Sequence, residues 1–400
     1  MRDAIEVREL AESELEPAWR LGRLAFGGPP DAPPSALKPA AGFTRWGAFD
    51  AAGTLLGKAT DLHYGQWWGG RPVPSADIGG VAVLPEARGR GVARALLTGL
   101  LRGARERGAA VSALYPTVVA PYRAAGWEVC GVLRSVDLAT AALPRERPTG
   151  SITVRPGAAG DLPEVRRRYD EYARRRCGLL TRRGGWYGED WTANLLADAD
   201  GLTVAEEDGR LVGYLVWQRG RGYGADSVLT VEDIVAETPA AARALVGVLS
   251  SWVSVAPTLR LPAPEFDAVT AWLPLATARD HSRQPWMHRP VDVVRAVAER
   301  GWPAHVRGAV EFGLTDPVAP WNTGAWRLDI ADGRGSLTPA GDRRDPGLVL
   351  TPAGFGLLYC AAAGAATLLE AGLLRASAGA DPTALDLLAC GPRAQLLDYF

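Results

Sequence analysis

The chain has 400 residues, of which 47% are hydrophobic and 22% charged, and its formal net charge is −1. At roughly 150 residues per domain this is two or three domains with enough apolar sequence for real cores. It excludes a disordered chain and a nucleic-acid binder working through bulk positive charge. The cations are 42 arginines and only two lysines, Lys38 and Lys58, a bias of GC-rich coding from which no function is read.

The first ten residues, MRDAIEVREL, carry charges where a signal peptide needs an apolar core, so a cytoplasmic protein is expected. Ile5-x-Val7-Arg8 followed by Glu14-Leu15 reads as an edge strand and an acidic helix start. The same pattern returns as Ile152-x-Val154-Arg155 and Asp161-Leu162, shifted by 147. Gly53-x-Leu55-x-Gly57 returns as Gly209-x-Leu211-x-Gly213 and Asp77-Ile78 as Asp233-Ile234, both shifted by 156. Arg94-Ala95-Leu96 returns as Arg243-Ala244-Leu245, shifted by only 149. The collinear order indicates a tandem duplication. The second copy has lost seven residues between its central strand and the helix that follows.

Those seven residues matter. In the first copy a β-prone run, Gly80 to Leu84, feeds a glycine-rich loop, Arg88-Gly89-Arg90-Gly91-Val92-Ala93, which opens a helix with Leu96, Leu97, Leu100 and Leu101 on its apolar face. Strand, glycine loop and helix start together make an anion site, because converging backbone N–H groups and the helix dipole favour phosphate. The loop is neither a P-loop nor a GxGxxG turn. Val111 to Leu114 reads as the next strand, and Pro121-Tyr122-Arg-Ala-Ala-Gly126-Trp127 follows. A tyrosine there can protonate a departing thiolate; Tyr115 is the rival for that role, and a packing tyrosine is the bland alternative for Tyr122.

Leu143 to Gly150 is polar and proline-bearing and reads as a linker. A second boundary is placed near Gln284-Pro285. Beyond it a short helix (Val291 to Arg300) leads to strand-like runs at Gly308 to Leu314, Ala325 to Ile330 and Gly347 to Leu350, then to two Ala- and Leu-rich helical stretches. Gly354 to Leu369 is 16 residues without a charge; a spanning helix needs about 20, so a buried helix is expected. An apolar last residue, Phe400, after a helical stretch suggests a tucked terminus. Cys130, Cys177, Cys360 and Cys390 stand singly, and His63, His281, His288 and His305 show no ligand spacing, so no disulfide framework or catalytic metal is expected.

The Arg-x-x-Gly-x-Ala form of residues 88–93, together with the Tyr122-x-x-x-Gly126-Trp127 pattern, resembles the GCN5-related N-acetyltransferases. With the duplication and Trp68-Gly-Gly-Arg-x-Val73-Pro-x-Ala76, the whole chain resembles the enhanced intracellular survival (Eis) family of bacterial acetyltransferases. The resemblance implies a mixed α+β and α/β fold. An active acetyl-CoA-binding domain would span residues 1–145, a degenerate copy 150–284 and a sterol-carrier-protein-like domain 285–400. It implies acetyl-CoA as co-substrate, contacted by Gly80, Val81, Val83, Arg88, Gly89, Arg90, Gly91, Val92, Ala93 and Thr117, with no metal. It implies Tyr122 as acid and the Phe400 carboxylate as base, a small-molecule amine or lysine as acceptor, no nucleic-acid or membrane partner, and a homo-oligomer, a hexamer by that resemblance.

At the acceptor site the match weakens. Phe26 and Asp31 are the positions nearest to the family's aromatic and acidic substrate contacts, but Gly27 and Gly28 follow Phe26, and Tyr399 stands where an acid is usual. An aminoglycoside-like polycation is then one acceptor among several amines. A catalytically silent CoA-binding protein and a lipid carrier acting through the C-terminal domain remain the alternatives.

Overall fold

A computed structural model describes residues 5–145, 151–341 and 346–400. The expected linker therefore lies partly outside the described residues. The first copy contributes β1 (Glu6–Glu9), α1 (Leu15–Phe26), β2 (Phe43–Phe49), β3 (Leu55–Trp68), β4 (Arg71–Val83), α2 (Val92–Glu106), β5 (Val111–Leu114), α3 (Val119–Ala124) and β6 (Glu128–Ala139). The second repeats the order: β7 (Ile152–Pro156), α4 (Leu162–Arg174), α5 (Leu195–Asp198), β8 (Gly201–Glu207), β9 (Arg210–Arg219), β10 (Val228–Ala236), α6 (Pro239–Ser250), β11 (Thr258–Pro262) and β12 (Arg279–Pro290).

All of these strands join one sheet, in the order β1-β2-β3-β4-β5-β12-β6-β11-β10-β9-β8-β7. The repeat is visible in it: β1 and β7 are the two edges. Each edge strand is locked to the next helix start by the same device. Arg8 forks onto Glu14 at 2.8 and 2.7 Å, while Glu14 accepts the Ala11 N–H. Arg155 forks onto Asp161 at 2.8 Å twice, and Asp161 accepts the Ala158 N–H. Paired short bonds of this kind fix geometry as well as adding energy.

The two copies exchange strands at the centre. The end of β12 (Met287 to Pro290) pairs with β5 of the first copy, while the end of β6 (Ser135 to Ala139) pairs with β11 of the second. The boundary expected at Gln284-Pro285 thus falls inside a continuous strand, and residues up to Pro290 belong to the sheet. Pro285 sits within β12 opposite Val132, which is why proline there misleads as a boundary signal.

The third unit has α7 (Val293–Glu299), β13 (Gly308–Leu314), β14 (Gly324–Ala331), β15 (Arg334–Pro339), β16 (Leu348–Leu350), α8 (Pro352–Tyr359), α9 (Ala365–Glu370) and β17 (Leu374–Ala376), with the sheet order β15-β14-β13-β16-β17. Every residue of α8 is buried. Ala361, at φ 51°, separates α8 from α9, so the charge-free run is two short helices, and no helix among the described residues is long and apolar enough to cross a membrane. One continuous core joins Leu62, Trp68 and Val111 of the first copy to Phe312 and Phe355 of the third unit. Arg289, fully buried, pairs with Asp316 and also donates to the Ala125 carbonyl. The third unit is therefore packed firmly onto the first copy.

From Cys390 the chain runs between the copies. Ala394 N–H donates to the Cys360 carbonyl and Gln395 N–H to that of Cys177, both at 2.9 Å. Asp398 receives Arg182 Nε at 3.0 Å, and its carbonyl accepts the Tyr115 hydroxyl at 2.8 Å. The Phe400 ring lies against Tyr64 and Tyr115, with centroids 5.8 and 5.2 Å away. The last residue is tucked into the first copy.

Candidate active site

The site begins where two strands part. β4 and β5 run parallel only from Ser75 opposite Val111 to Ile78 opposite Leu114. Past that point Gly79 to Val83 pair with β3 alone, and their other edge has no strand partner among the described residues. A chain rich in amide groups can add to such an edge as a strand would. Gly80, at φ 58°, forms the kink where the β3–β4 register shifts.

The free edge leads into the glycine loop. Gly89 (φ 76°) and Gly91 (φ 89°) take left-handed conformations, Gly91 as the N-cap of α2. A Cβ at either would meet nothing within 4 Å. These glycines therefore serve backbone shape, leaving the N–H groups of a 15-residue helix facing open space. A cavity of about 350 Å³ lies there, walled by Arg88, Gly89, Gly91 and Ala93 on one side and by Pro121 and Ala124 of α3 on the other.

Tyr122 sits on α3, 8% exposed, and its hydroxyl makes no hydrogen bond among the described residues. Burial pushes its pKa up to about 12, so it holds its proton at neutral pH. The rest of its motif is structural. Gly126 ends the turn at φ 93°, where a Cβ would come within 3.0 Å of Arg289 Nη1 and 3.1 Å of Pro352. Trp127 is fully buried and donates to Ser112 Oγ at 3.2 Å. Tyr115 is committed elsewhere: its hydroxyl holds the Asp398 carbonyl, and burial raises its pKa well above the usual value.

A second cavity, of about 400 Å³, opens on the other side of Gly80. Trp19 of α1, Phe43 and Arg45 of β2, Lys58 and Leu62 of β3, Trp186 and Phe400 wall it. Phe43 and Trp186 meet edge to face at 4.7 Å.

Two acetyltransferase (GNAT) domain families match the chain, at residues 6–130 and 178–295, and a sterol carrier protein domain family matches residues 293–395. The chain is a GCN5-related N-acetyltransferase. A Streptomyces avermitilis protein described as an uncharacterized N-acetyltransferase is 29% identical over 324 residues, 77% of each chain. The crystal structure of a GCN5-related N-acetyltransferase from Kribbella flavida is 29% identical and covers 100% of this chain and 99% of its own, with a TM-score of 0.81. Eis1 from Mycobacterium abscessus shares the fold, at a TM-score of 0.75 and 24% identity, over 99% of this chain and 100% of its own. The resemblance to the Eis architecture thus has a structural counterpart, and the tandem acetyltransferase folds with a sterol-carrier-protein domain are the architecture of this acetyltransferase.

Its second copy keeps the splay and loses the site. β10 and β11 pair only from Val228 to Thr230, yet α6 starts at Pro239, three residues after β10 ends at Ala236. No room is left for a glycine loop. The parted strands instead hold Arg182, which pairs with Asp233 and Asp398 and stacks over Tyr169 and Trp191 at 3.8 and 4.6 Å. Leu397 fills the space beside it, leaving a pocket of about 20 Å³, and a wider cavity of about 530 Å³ opens at the end of β10, walled by Arg168, Arg175, Val235, Glu237 and Phe266.

Six sequence candidates, Phe26, Asp31, Val81, Arg90, Thr117 and Tyr122, are not among the walls of the 350 Å³ and 400 Å³ cavities. α1 ends at Phe26, and Gly27 and Gly28, at φ 77° and 118°, break the helix there. Phe26 is 53% exposed, Asp31 is exposed, and Pro33, Ser35 and Ala36 line the second cavity in their place. Thr117 is exposed in the turn between β5 and α3. Arg45, Lys58, Trp19 and Trp186 were not singled out from sequence. A lysine on an alternating strand face that otherwise turns inward, Leu56-x-Lys58-x-Thr60-x-Leu62, was the available signal.

Proposed function

We propose that the protein transfers the acetyl group of acetyl-CoA to the primary amine of a small molecule, at the junction of the two cavities in the first copy. The pyrophosphate is held by Arg88 to Ala93, and the pantetheine arm lies along Gly79 to Val83, with Gly80 beside the thioester. The amine enters from the cavity walled by Trp19, Phe43 and Phe400. Its nitrogen attacks the acetyl carbonyl, the carbon–sulfur bond breaks, and Tyr122 gives its proton to the departing thiolate. The ammonium proton must also leave. A terminal carboxyl has an unperturbed pKa of roughly 3.5, too low for a direct base, so the Phe400 carboxylate orients the ammonium while water takes its proton to solvent before attack; the second proton, lost from nitrogen as the amide forms, returns through water to Tyr122.

The observation that carries this reading is the unpaired edge of β4 leading to the glycine loop, with Tyr122 in the core cluster against which Val81 and Val83 of that edge pack. A silent CoA-binding protein would have no use for Tyr122 held there. A lipid carrier is disfavoured by α8, whose apolar surface is spent entirely on packing. Release of free CoA from acetyl-CoA across a panel of amines, with mass spectrometry of the products, tests the proposal; absence of turnover with every amine would refute it.

A further inference from the structure

The acceptor cavity has an unusual charge. Its walls include two cations, Lys58 and Arg45, and no carboxylate side chain, so that the terminal carboxylate of Phe400 is the one anion among them. Lys58 makes no hydrogen bond or ion pair among the described residues, although it is largely buried, and its ammonium opens onto the cavity. Its stem threads between α1 and β4: a methyl group added at Gly22 or at Gly80 would come within 3.1 Å of Lys58 Nζ. Gly22 therefore makes room for this side chain in α1. Arg45 donates to the Lys38 carbonyl at 2.7 Å and has no carboxylate partner among the described residues. Burial and the neighbouring Arg45 lower the Lys58 pKa from its ordinary value. A desolvated, unpaired cation is costly in a fold and is relieved by an anion. The remaining wall is apolar and aromatic: Leu15, Trp19, Phe43, Leu62 and Trp186. The Trp19 indole N–H is buried with no acceptor among the described residues.

We propose that the acceptor is an α-amino carboxylate with an apolar or aromatic side chain, its carboxylate held by Lys58 and Arg45. This rests on the acceptor cavity assigned above. Position decides the spacing of the two groups. Lys58 Nζ lies beside Gly80, where the thioester arrives, so the anion must sit one or two bonds from the reacting nitrogen. The apolar remainder then lies against Trp19, Phe43 and Trp186. A cation so close also disfavours the protonated amine, which helps the nitrogen reach the neutral form that attacks. A polycation would bring several charges to a cavity whose two cations outnumber its one terminal carboxylate.

The experiment compares matched acceptors on the full chain: L-phenylalanine, L-phenylalaninamide and 2-phenylethylamine, with a polyamine and an aminoglycoside alongside. L-Phenylalanine should exceed the two carboxylate-free amines in kcat/KM by about 10- to 100-fold, the usual worth of a charge-assisted contact. In Lys58→Met that ratio should collapse toward one, and Lys58→Arg should keep part of it. Acetyl-CoA binding by calorimetry confirms that the variants fold. Equal or better turnover of the carboxylate-free amines by the unmodified protein overturns the proposal and leaves acetyl transfer standing. Turnover of no amine at all overturns both. Acetylation of Lys58 itself, seen as mass added to the intact protein, would also overturn it, because the ammonium would then be a target and not an anion site.

Discussion

The two copies start from the same plan and part at one place. Both fork an arginine onto an acid to close the first turn, at Arg8–Glu14 and Arg155–Asp161, and both part their central strands after three or four paired residues. In the first copy the parting leads to a glycine loop and a 350 Å³ cavity; in the second Arg182 and Leu397 fill it to about 20 Å³ around Asp233, and the cavity of about 530 Å³ at the end of β10 has no glycine loop. A splayed sheet is therefore a general device of this fold. Seven residues of loop set what stands at its end. The second copy then gains a different task, since Arg182 and Tyr169 grip Asp398 and so deliver the chain end to the first.

The sharpest way to break this comparison is to count cofactors. Calorimetry should give one acetyl-CoA per chain, and two would end the view that the second copy is structural. Gly91→Glu should abolish that binding. No clash is involved, since a Cβ there meets nothing within 4 Å; a side chain at φ 89° is strained, and the carboxylate sits where phosphate is expected. Retained binding would move the pyrophosphate away from the α2 N-terminus.

Tyr122→Phe comes next. Acetyl-CoA affinity should persist while kcat falls by roughly 10²- to 10⁴-fold, the usual range for a lost general acid. The second copy has no tyrosine at the matching place, where Thr270–Trp272 forms a short 3₁₀ turn. A near-normal kcat would hand the proton to water. Loss of affinity alone would make Tyr122 a packing residue.

The role given to the second copy is testable at the other end of the chain. Extending the chain beyond Phe400 by a short tag should displace the carboxylate and crowd the acceptor cavity. Ending it at Tyr399 should draw the charge back by up to about 3.5 Å. Misplacement of this size costs on the order of 10²-fold in rate, with acetyl-CoA binding intact. Full activity in the extended protein would remove Phe400 from the mechanism.

The cofactor half of the site was legible because its signals are local. A glycine loop before a helix and a Tyr-x-x-x-Gly-aromatic run each encode one turn of backbone, and the duplication encodes itself. The acceptor half was not, because its walls come from α1, three strands, the second copy's Trp186 and the last residue, which no sequence spacing connects. Phe26 and Asp31 lie outside these walls, because two glycines end α1 just before the chain turns. The exchange of β6 and β12 was hidden as well, since register between distant strands leaves no period in the sequence, and Pro285 imitates a boundary.

The smallest effect concerns a residue that the duplication kept and then used in two ways. Asp233 in the second copy meets Arg182 and accepts the Tyr214 hydroxyl at 2.8 Å. Its counterpart Asp77 is fully buried with no cation beside it. One oxygen accepts from Ser75, from Ala113 N–H at 3.2 Å and from Gln66 at 3.4 Å, and the other has no partner among the described residues. Burial raises the Asp77 pKa to about 7, against roughly 3.9 in an unfolded chain. The folded state therefore binds this proton more tightly, and its stability contribution is present at low pH and lost as pH rises from about 4 through 7. Asn resembles the protonated acid: its oxygen can keep the three donors, and its NH₂ takes the place of the unpartnered oxygen. Asp77→Asn should match the unmodified protein in Tm near pH 5 and exceed it by a few degrees at pH 8. Asp233→Asn should lower Tm at pH 8, because it takes away one of the two carboxylates of buried Arg182. Thermal melts of both variants at the two pH values give the answer. A Tm difference for Asp77→Asn that does not change with pH would mean that Asp77 is ionised throughout, and that the two aspartates are less different than their surroundings make them.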